Sequence, residues 1–232
     1  MKRENPQPSV PVSHVSLEST FAAVSPEIRA ILERALAGRE PNVAEAVSLC
    51  SARGADLRAL TATADTLRRE QAGERVGYVV NRNINFTNVC VKACRFCAFS
   101  RTARSEEGYF LESEEVVRRA RQAVEMGASE VCIQAGLPPR AAKTLYLDLL
   151  RALRSALPGL HIHAFSPEEI KYGSELMQLS LREYLTELKA AGLGSVPGTS
   201  AEILDESVRS RLAGGRISTS EWLEVIRTAH EV

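Results

Sequence analysis

The sequence predicts an α/β protein: a partial (β/α) barrel of parallel strands, incomplete at its C-terminal end, with a helical N-terminal extension. Three observations carry this. Short β-type runs alternate with amphipathic helices from about residue 76 onward, the pattern of right-handed βαβ units. Residues 25–75 have helical periodicity and no strand-like stretch. The chain then stops in a helix at Val232, after about four βα units, with no later strand to continue the sheet. An edge left open in that way presents unpaired backbone hydrogen-bonding groups.

Taken in order, residues 1–24 read as a disordered tail. Ser25-Pro26-Glu27 opens a helix, with serine as N-cap and proline at the first helical position. Leu57, Leu60, Ala64 and Leu67 recur at three- and four-residue steps and predict a second helical stripe. Residues 76–80 and 84–87 are β-type runs, the second leading directly into a cysteine-bearing loop. Residues 113–126 place Val116, Val117, Ala120, Ala123 and Val124 on one helical face, with Gly127 beyond the end. Residues 130–134 form the next strand, Leu145 to Leu157 mark a helix, and residues 161–165 form a third strand. Ser166-Pro167-Glu168-Glu169 starts a helix with acids in its first turn. Ser180 and Glu183 form a capping box for a helix that Gly192 stops, and residues 195–198 read as a short strand. Ser218 and Glu221 cap the last helix, from Trp222 to Ala229.

The strand faces look split. His161, His163 and Phe165 share one face while Ile162 and Ala164 share the other. Cys132 shares a face with Gln134, and Asn85 with Thr87. Polar side chains on one face and apolar ones on the other suit a barrel enclosing a ligand, although a few polar residues line any barrel.

Composition narrows the class. The 29 basic residues balance 29 acidic ones and the pI is near 6.9, which removes the electrostatic case for nucleic acid or an anionic membrane. Hydrophobic content is 44%, with no apolar run near the roughly 20 residues a membrane helix needs. The N-terminal Met1-Lys-Arg-Glu-Asn-Pro-Gln-Pro-Ser9 has no apolar core after its basic residues and does not read as a signal peptide. The expectation is a cytoplasmic protein, where thiols stay reduced.

The chemistry lies in Asn88-Val-Cys-Val-Lys-Ala-Cys-Arg-Phe-Cys-Ala-Phe-Ser100, where Cys90, Cys94 and Cys97 have the spacing C-x3-C-x2-C. Three thiolates on one loop can hold three irons of a cubic 4Fe–4S cluster, leaving the fourth iron open to a substrate or cofactor. Zinc is the rival, but only one C-x2-C pair exists and His14, His161, His163 and His230 show no knuckle spacing. Plain buried thiols are the other alternative. Five cysteines in 232 residues do not suggest a disulfide framework. Cys50 and Cys132 are expected to behave as small hydrophobes. Lys92 and Arg101, beside the loop, read first as exposed charges.

This loop, with Phe96 immediately before its last cysteine and a strand before it, resembles that of the radical SAM superfamily. There the amino and carboxylate groups of S-adenosylmethionine chelate the open iron, and one electron from the cluster yields a 5′-deoxyadenosyl radical. The resemblance implies that Cys90, Cys94 and Cys97 ligate the cluster and that Phe96 packs near the adenine. Gln134, Gly136, His163 and Glu202, at strand ends, become candidates for cofactor or substrate contact. It also divides the chain into a helical extension at 25–75 and a truncated barrel core at 76–232.

A series of segments narrows the resemblance further. Asn83-Ile-Asn-Phe-Thr-Asn-Val-Cys90, Glu130-Val-Cys-Ile-Gln-Ala-Gly-Leu137, His161-Ile-His-Ala-Phe-Ser-Pro167, Pro197-Gly-Thr-Ser-Ala-Glu-Ile-Leu204 and Ile217-Ser-Thr-Ser-Glu-Trp-Leu223 are similar to the deazaflavin-forming branch, the 4-hydroxyphenyl transferase side of FO synthase. That implies a transferase that cleaves L-tyrosine and adds its 4-hydroxybenzyl group to 5-amino-6-(D-ribitylamino)uracil. It also implies a reductant protein and a ring-closing radical SAM partner. Menaquinone-pathway relatives that act on futalosine-type compounds share several of these segments and remain an alternative, as does an inactive cluster-binding fragment. Ala135 stands where the family usually has glycine, and the family normally exceeds this chain in length.

Overall fold

Three short parallel strands organise the larger part of the chain. The computed structural model describes residues 20–92 and 94–232. The described residues fall into two compact units, one ending at Gly77 and the other running from Tyr78 to Val232.

The first unit holds α1 (Pro26–Leu36), α2 (Val43–Cys50) and α3 (Gly54–Ala72). Most of the expected tail, residues 1–19, lies outside the described residues. Phe21 and Val24, also expected there, are instead buried with Ile28, Ile31, Leu32 and Ala59. Ser25 precedes α1 but makes no capping bond; its N–H and hydroxyl donate to Asp56 at 2.8 and 3.0 Å and so tie α1 to α3. The buried stripe of α3 is Ala59 and Thr63, while Leu57 and Ala64 are exposed. Small side chains let α1 approach closely; of the predicted stripe, Leu60 packs partly buried against this cluster. Cys50 ends α2 exposed, so it is not the buried small hydrophobe expected.

The second unit runs β1 (Asn81–Ile84), α4 (Ser113–Glu125), β2 (Glu130–Ile133), α5 (Leu145–Ala156), β3 (His161–Ala164), α6 (Pro167–Met177), α7 (Leu181–Ala191), α8 (Glu206–Leu212) and α9 (Thr219–Glu231). The strands pair in parallel in the order β1-β2-β3. Three strand expectations fail at the edges. Residues 76–80 form no strand: Val76 is 90% and Tyr78 86% exposed, and the polar Asn81–Ile84 pairs with β2 in their place. Pairing and burial overrode intrinsic β-propensity there. Residues 84–87 accordingly contribute only the end of β1 and an isolated Thr87–Phe110 bridge. The strand expected at 195–198 is a single bridge between Ser195 and His163. The result is a partial parallel sheet with helices, as an incomplete barrel requires.

Register sorts the side chains. Ile84, Val131, Ile133, Ile162 and Ala164 are buried with Val116 and Ala120 of α4 and Leu149, Leu150 and Leu153 of α5. Asn83, Cys132 and His163 form a row across the other face, and none of them is buried. Capping boxes at Ser166–Glu169, Ser180–Glu183 and Ser218–Glu221 start α6, α7 and α9 as the sequence indicates. Because the strands are parallel, the segments leaving all three gather at one edge, where (β/α) barrels build their sites. No helix among the described residues is long and apolar enough to cross a membrane.

Candidate cysteine-loop cofactor site

The loop after β1 is held by backbone bonds on three sides. At its neck, Cys90 N–H donates to Arg101 O at 3.0 Å and Arg101 N–H to Asn88 O at 2.8 Å. Toward β2, Gly136 N–H donates to Thr87 O at 3.0 Å and Val91 N–H to Leu137 O at 2.9 Å. Arg95 N–H reaches Leu212 O, the last residue of α8, at 2.9 Å. Cys90 Sγ accepts from Lys92 N–H at 3.4 Å.

These constraints open a cavity of about 270 Å³ at the strand ends. Its lining includes Cys90, Cys94, Phe96, Cys97, Gln134, Gly136 and Glu202, all of them singled out in the sequence. His163 is not part of it; it lies on the sheet face, with Nδ1 2.7 Å from Ser195 Oγ. Gln134 donates to Cys132 Sγ at 3.2 Å. Gly136 has a structural role: a Cβ there would stand 2.4 Å from Val89 O, so only glycine lets the two loops pair this closely.

Sequence reasoning found Glu202 but not Arg216 and Glu168, which complete the charged frame of the cavity. Arg216, with its side chain 9% exposed, has Nε 3.4 Å from Glu168 and donates through Nη1 to Glu202 at 3.0 Å. Its guanidinium carbon lies 5.7 Å from the Phe96 ring centroid, within cation–π range. Glu168 also accepts from Ile217 N–H, at 3.2 and 3.1 Å, and pairs with Lys92 Nζ at 3.2 Å. Lys92 is therefore an anchor for the loop and not a free surface charge. Arg101 stays at the loop's outer side, bonded to Glu107 at 2.5 Å. The local cue was weak: Arg216 directly precedes the Ile217-Ser-Thr-Ser-Glu segment, but its partners are 14 and 48 residues away.

Burial pushes the Cys94 thiol up, and the Arg216 charge works against that. A thiol must lose its proton to bind a metal, so the nearby guanidinium favours the binding form. Among the described residues no three His, Cys, Asp or Glu side chains gather around a single metal position. Cubane ligands bind separate irons, so three thiols that line one cavity match the protein ligand set of such a cluster.

The first turn of α6 closes the floor. Phe165 takes φ +63° and is buried, a strained conformation for a non-glycine residue, as the chain turns from β3 into α6. Glu169 accepts from Ser166 N–H and hydroxyl, both at 2.7 Å, and from Ala135 N–H at 3.0 Å. Burial pushes its carboxyl from 4.5 up to about 7, although those bonds favour the charged form. Between these values the folded protein holds a proton that the unfolded chain has released. Its contribution to stability therefore falls as pH rises through that window and is level above it. Glu169→Gln keeps the capping geometry and is expected to remove a decline on the order of 3 kcal/mol. Urea midpoints measured at about pH 5 and about pH 8 check this.

A parallel sheet whose first strand runs into a three-cysteine loop, beside a cavity at the strand ends, defines a barrel-type α/β protein with a thiol-lined candidate site. The radical SAM superfamily model matches residues 84–232, and the chain belongs to that superfamily. Membership implies a 4Fe–4S cluster and S-adenosylmethionine. The chain is 49% identical over 188 residues to the 5-amino-6-(D-ribitylamino)uracil–L-tyrosine 4-hydroxyphenyl transferase of Methanothermobacter thermautotrophicus, covering 81% of this chain and 51% of that protein. It is 50% identical over 188 residues to FO synthase of Mycobacterium leprae, covering 81% of this chain and 22% of that protein. The chain thus spans about half the length of the first relative and under a quarter of the second. Among solved structures, FeFe-hydrogenase maturase HydG from Carboxydothermus hydrogenoformans aligns with TM-score 0.67 at 21% identity, over 88% of this chain and 46% of that one. Methylornithine synthase (PylB) aligns with TM-score 0.63 at 19% identity, over 87% and 56%. Both share its fold.

Proposed function

We infer that the cavity holds a 4Fe–4S cluster on Cys90, Cys94 and Cys97, with S-adenosylmethionine beside Phe96, Gln134, Gly136 and Glu202. One observation carries this: all seven side chains or backbones line the same cavity, although they come from three separate segments. The reaction is a radical transferase step of deazaflavin precursor formation. The 4-hydroxybenzyl part of L-tyrosine passes to 5-amino-6-(D-ribitylamino)uracil, and the glycine part leaves as an imine. Residues 76–232 form the core that does this, residues 25–75 a helical extension. The partners are a reductant protein and a ring-closing radical SAM subunit. All five cysteines are free, which suits the reducing cytoplasm.

When bound, the cluster and S-adenosylmethionine supply the hydrogen-abstracting radical. The chain's own residues position and shield. The pairing of Glu168 with Lys92 and Arg216 keeps the cysteine loop closed over the strand ends. Arg216 also fixes the Phe96 ring, which offers a flat face to an adenine-sized group. Glu202, half exposed, keeps carboxylate lone pairs free to accept from hydroxyl or amino groups.

Tyrosine labelled at Cβ, supplied to the anaerobically reconstituted protein with the diaminouracil, tests the reading. Label is expected in the uracil product. Consumption of a futalosine-type substrate instead would move the chain to the menaquinone branch.

A further inference from the structure

Outside the cavity, the polar sheet face carries a second constellation. His161 Nε2 lies 2.8 Å from Ser195 Oγ, and His163 Nδ1 lies 2.7 Å from the same oxygen. Glu130 Oε2 stands 3.8 Å from His161 Nε2, and Asn81 donates to the Glu130 carboxylate at 3.2 Å. The β2–β3 register sets Glu130 beside His161 and Cys132 beside His163. Backbone bonds from Ala164 N–H to Ser195 O, and from Ser195 N–H to Ile162 O, hold the serine against β3 at 3.0 and 3.3 Å. Gly194 leaves room for the imidazole, since a Cβ there would stand 2.5 Å from His161 Cε1. Neither histidine is buried.

A serine hydroxyl has one proton to give. Between two neutral imidazoles it donates to one and accepts from the other. Ser195 meets Nε2 of His161 and Nδ1 of His163. If it donates to His163, both rings carry their proton on Nε2; if it donates to His161, both carry it on Nδ1. Mixed tautomers would set two protons or two lone pairs against one hydroxyl. Glu130, near His161 Nε2, favours the first arrangement at rest.

We propose that Glu130, His161, Ser195 and His163 form a proton relay along the polar face of the sheet, with Ser195 coupling the two imidazoles. A proton taken up at His161 Nδ1 sends the Nε2 proton to Ser195, whose own proton passes to His163 Nδ1. His163 then releases its Nε2 proton. One proton enters, one leaves, and both rings end on Nδ1; passage in the opposite direction resets them. This rests on the reading of the chain as half of an enzyme barrel with its polar face inward. There His163 exchanges protons with a bound amine, imine or phenol of the amino-acid substrate. The other titratable groups near the relay are Cys132 on β2, and Lys189 of α7 and His230 of α9, which line a cavity together with Ser195.

Nitrogen-15 NMR of the imidazoles is the test, in a chain with only four histidines. His161 and His163 are expected to carry the same tautomer. Protonating either ring should shift the ring-nitrogen signals of the other. Ser195→Thr, which keeps the hydroxyl, should retain the coupling; Ser195→Ala should lose it, with the amide spectrum showing the fold retained. Opposite tautomers or independent titration in the unaltered protein would overturn the relay, as would coupling that survives in Ser195→Ala. None of these readouts needs the cluster or turnover, so a failed substrate assay leaves the relay standing and a failed relay leaves the substrate reading standing.

Discussion

Replacing Cys94 with serine is expected to lower cluster content and S-adenosylmethionine cleavage by more than about a hundredfold, beyond what loss of a supporting residue costs. The side chain lines the cavity and its thiol is partly buried, with the Arg216 guanidinium as the charge that favours its thiolate form. A serine hydroxyl is too weakly acidic and too hard a donor to replace a thiolate on iron. Two controls separate ligand loss from general damage. Cys132 sits on the sheet face against Gln134, and Cys50 is exposed at the end of α2. Serine at either position should leave iron and sulfide content unchanged. Anaerobic reconstitution followed by iron, sulfide and 5′-deoxyadenosine analysis measures all three variants. Equal losses in Cys94→Ser and Cys132→Ser would mean that the cavity is not the cluster site.

Gly136→Ala carries the second large effect. Its Cβ would lie 2.4 Å from Val89 O, 2.9 Å from Val89 C and 3.1 Å from Cys90 Cβ. Backbone cannot swing aside as a side chain can, and the contact sits between two interloop hydrogen bonds, Gly136 to Thr87 and Val91 to Leu137. Overpacking of this kind costs about 1–3 kcal/mol. The strain falls on the segment carrying Cys90, so cluster occupancy should fall together with the urea midpoint. The adjacent Ala135 already carries a methyl that lines the cavity, and its N–H is bonded to Glu169. Tolerance therefore differs sharply between neighbours, with glycine demanded at 136 by the cysteine loop itself. An alanine variant with unchanged midpoint and full iron content would show that the loop relaxes at no cost.

What could be read from the sequence was what is local. The C-x3-C-x2-C spacing, the capping boxes at Ser166, Ser180 and Ser218, and the alternation of Ile162 and Ala164 with His161 and His163 each fit within one turn or one strand. Cavity residues on loops that follow parallel strands were reachable by the same logic, because the strand ends share an edge. Pairings between distant segments were not. Arg216 meets Glu168 and Phe96 only after α6, the loop before α9 and the cysteine loop have come together. His163 was grouped with the strand-end residues, yet it sits one strand residue below Ala164, on the face that meets Ser195. The apolar Val76–Val80 run looked more like a strand than Asn81-Arg-Asn-Ile84, but backbone pairing with β2 decided between them.

The electron paramagnetic resonance spectrum of the reduced, reconstituted protein, recorded without and with S-adenosylmethionine, tests the central claim most directly. A three-cysteine cluster with one open iron should give a reduced 4Fe–4S signal that changes shape when the cofactor binds, and Cys94→Ser should abolish it. A full cluster signal that is indifferent to S-adenosylmethionine would contradict the account.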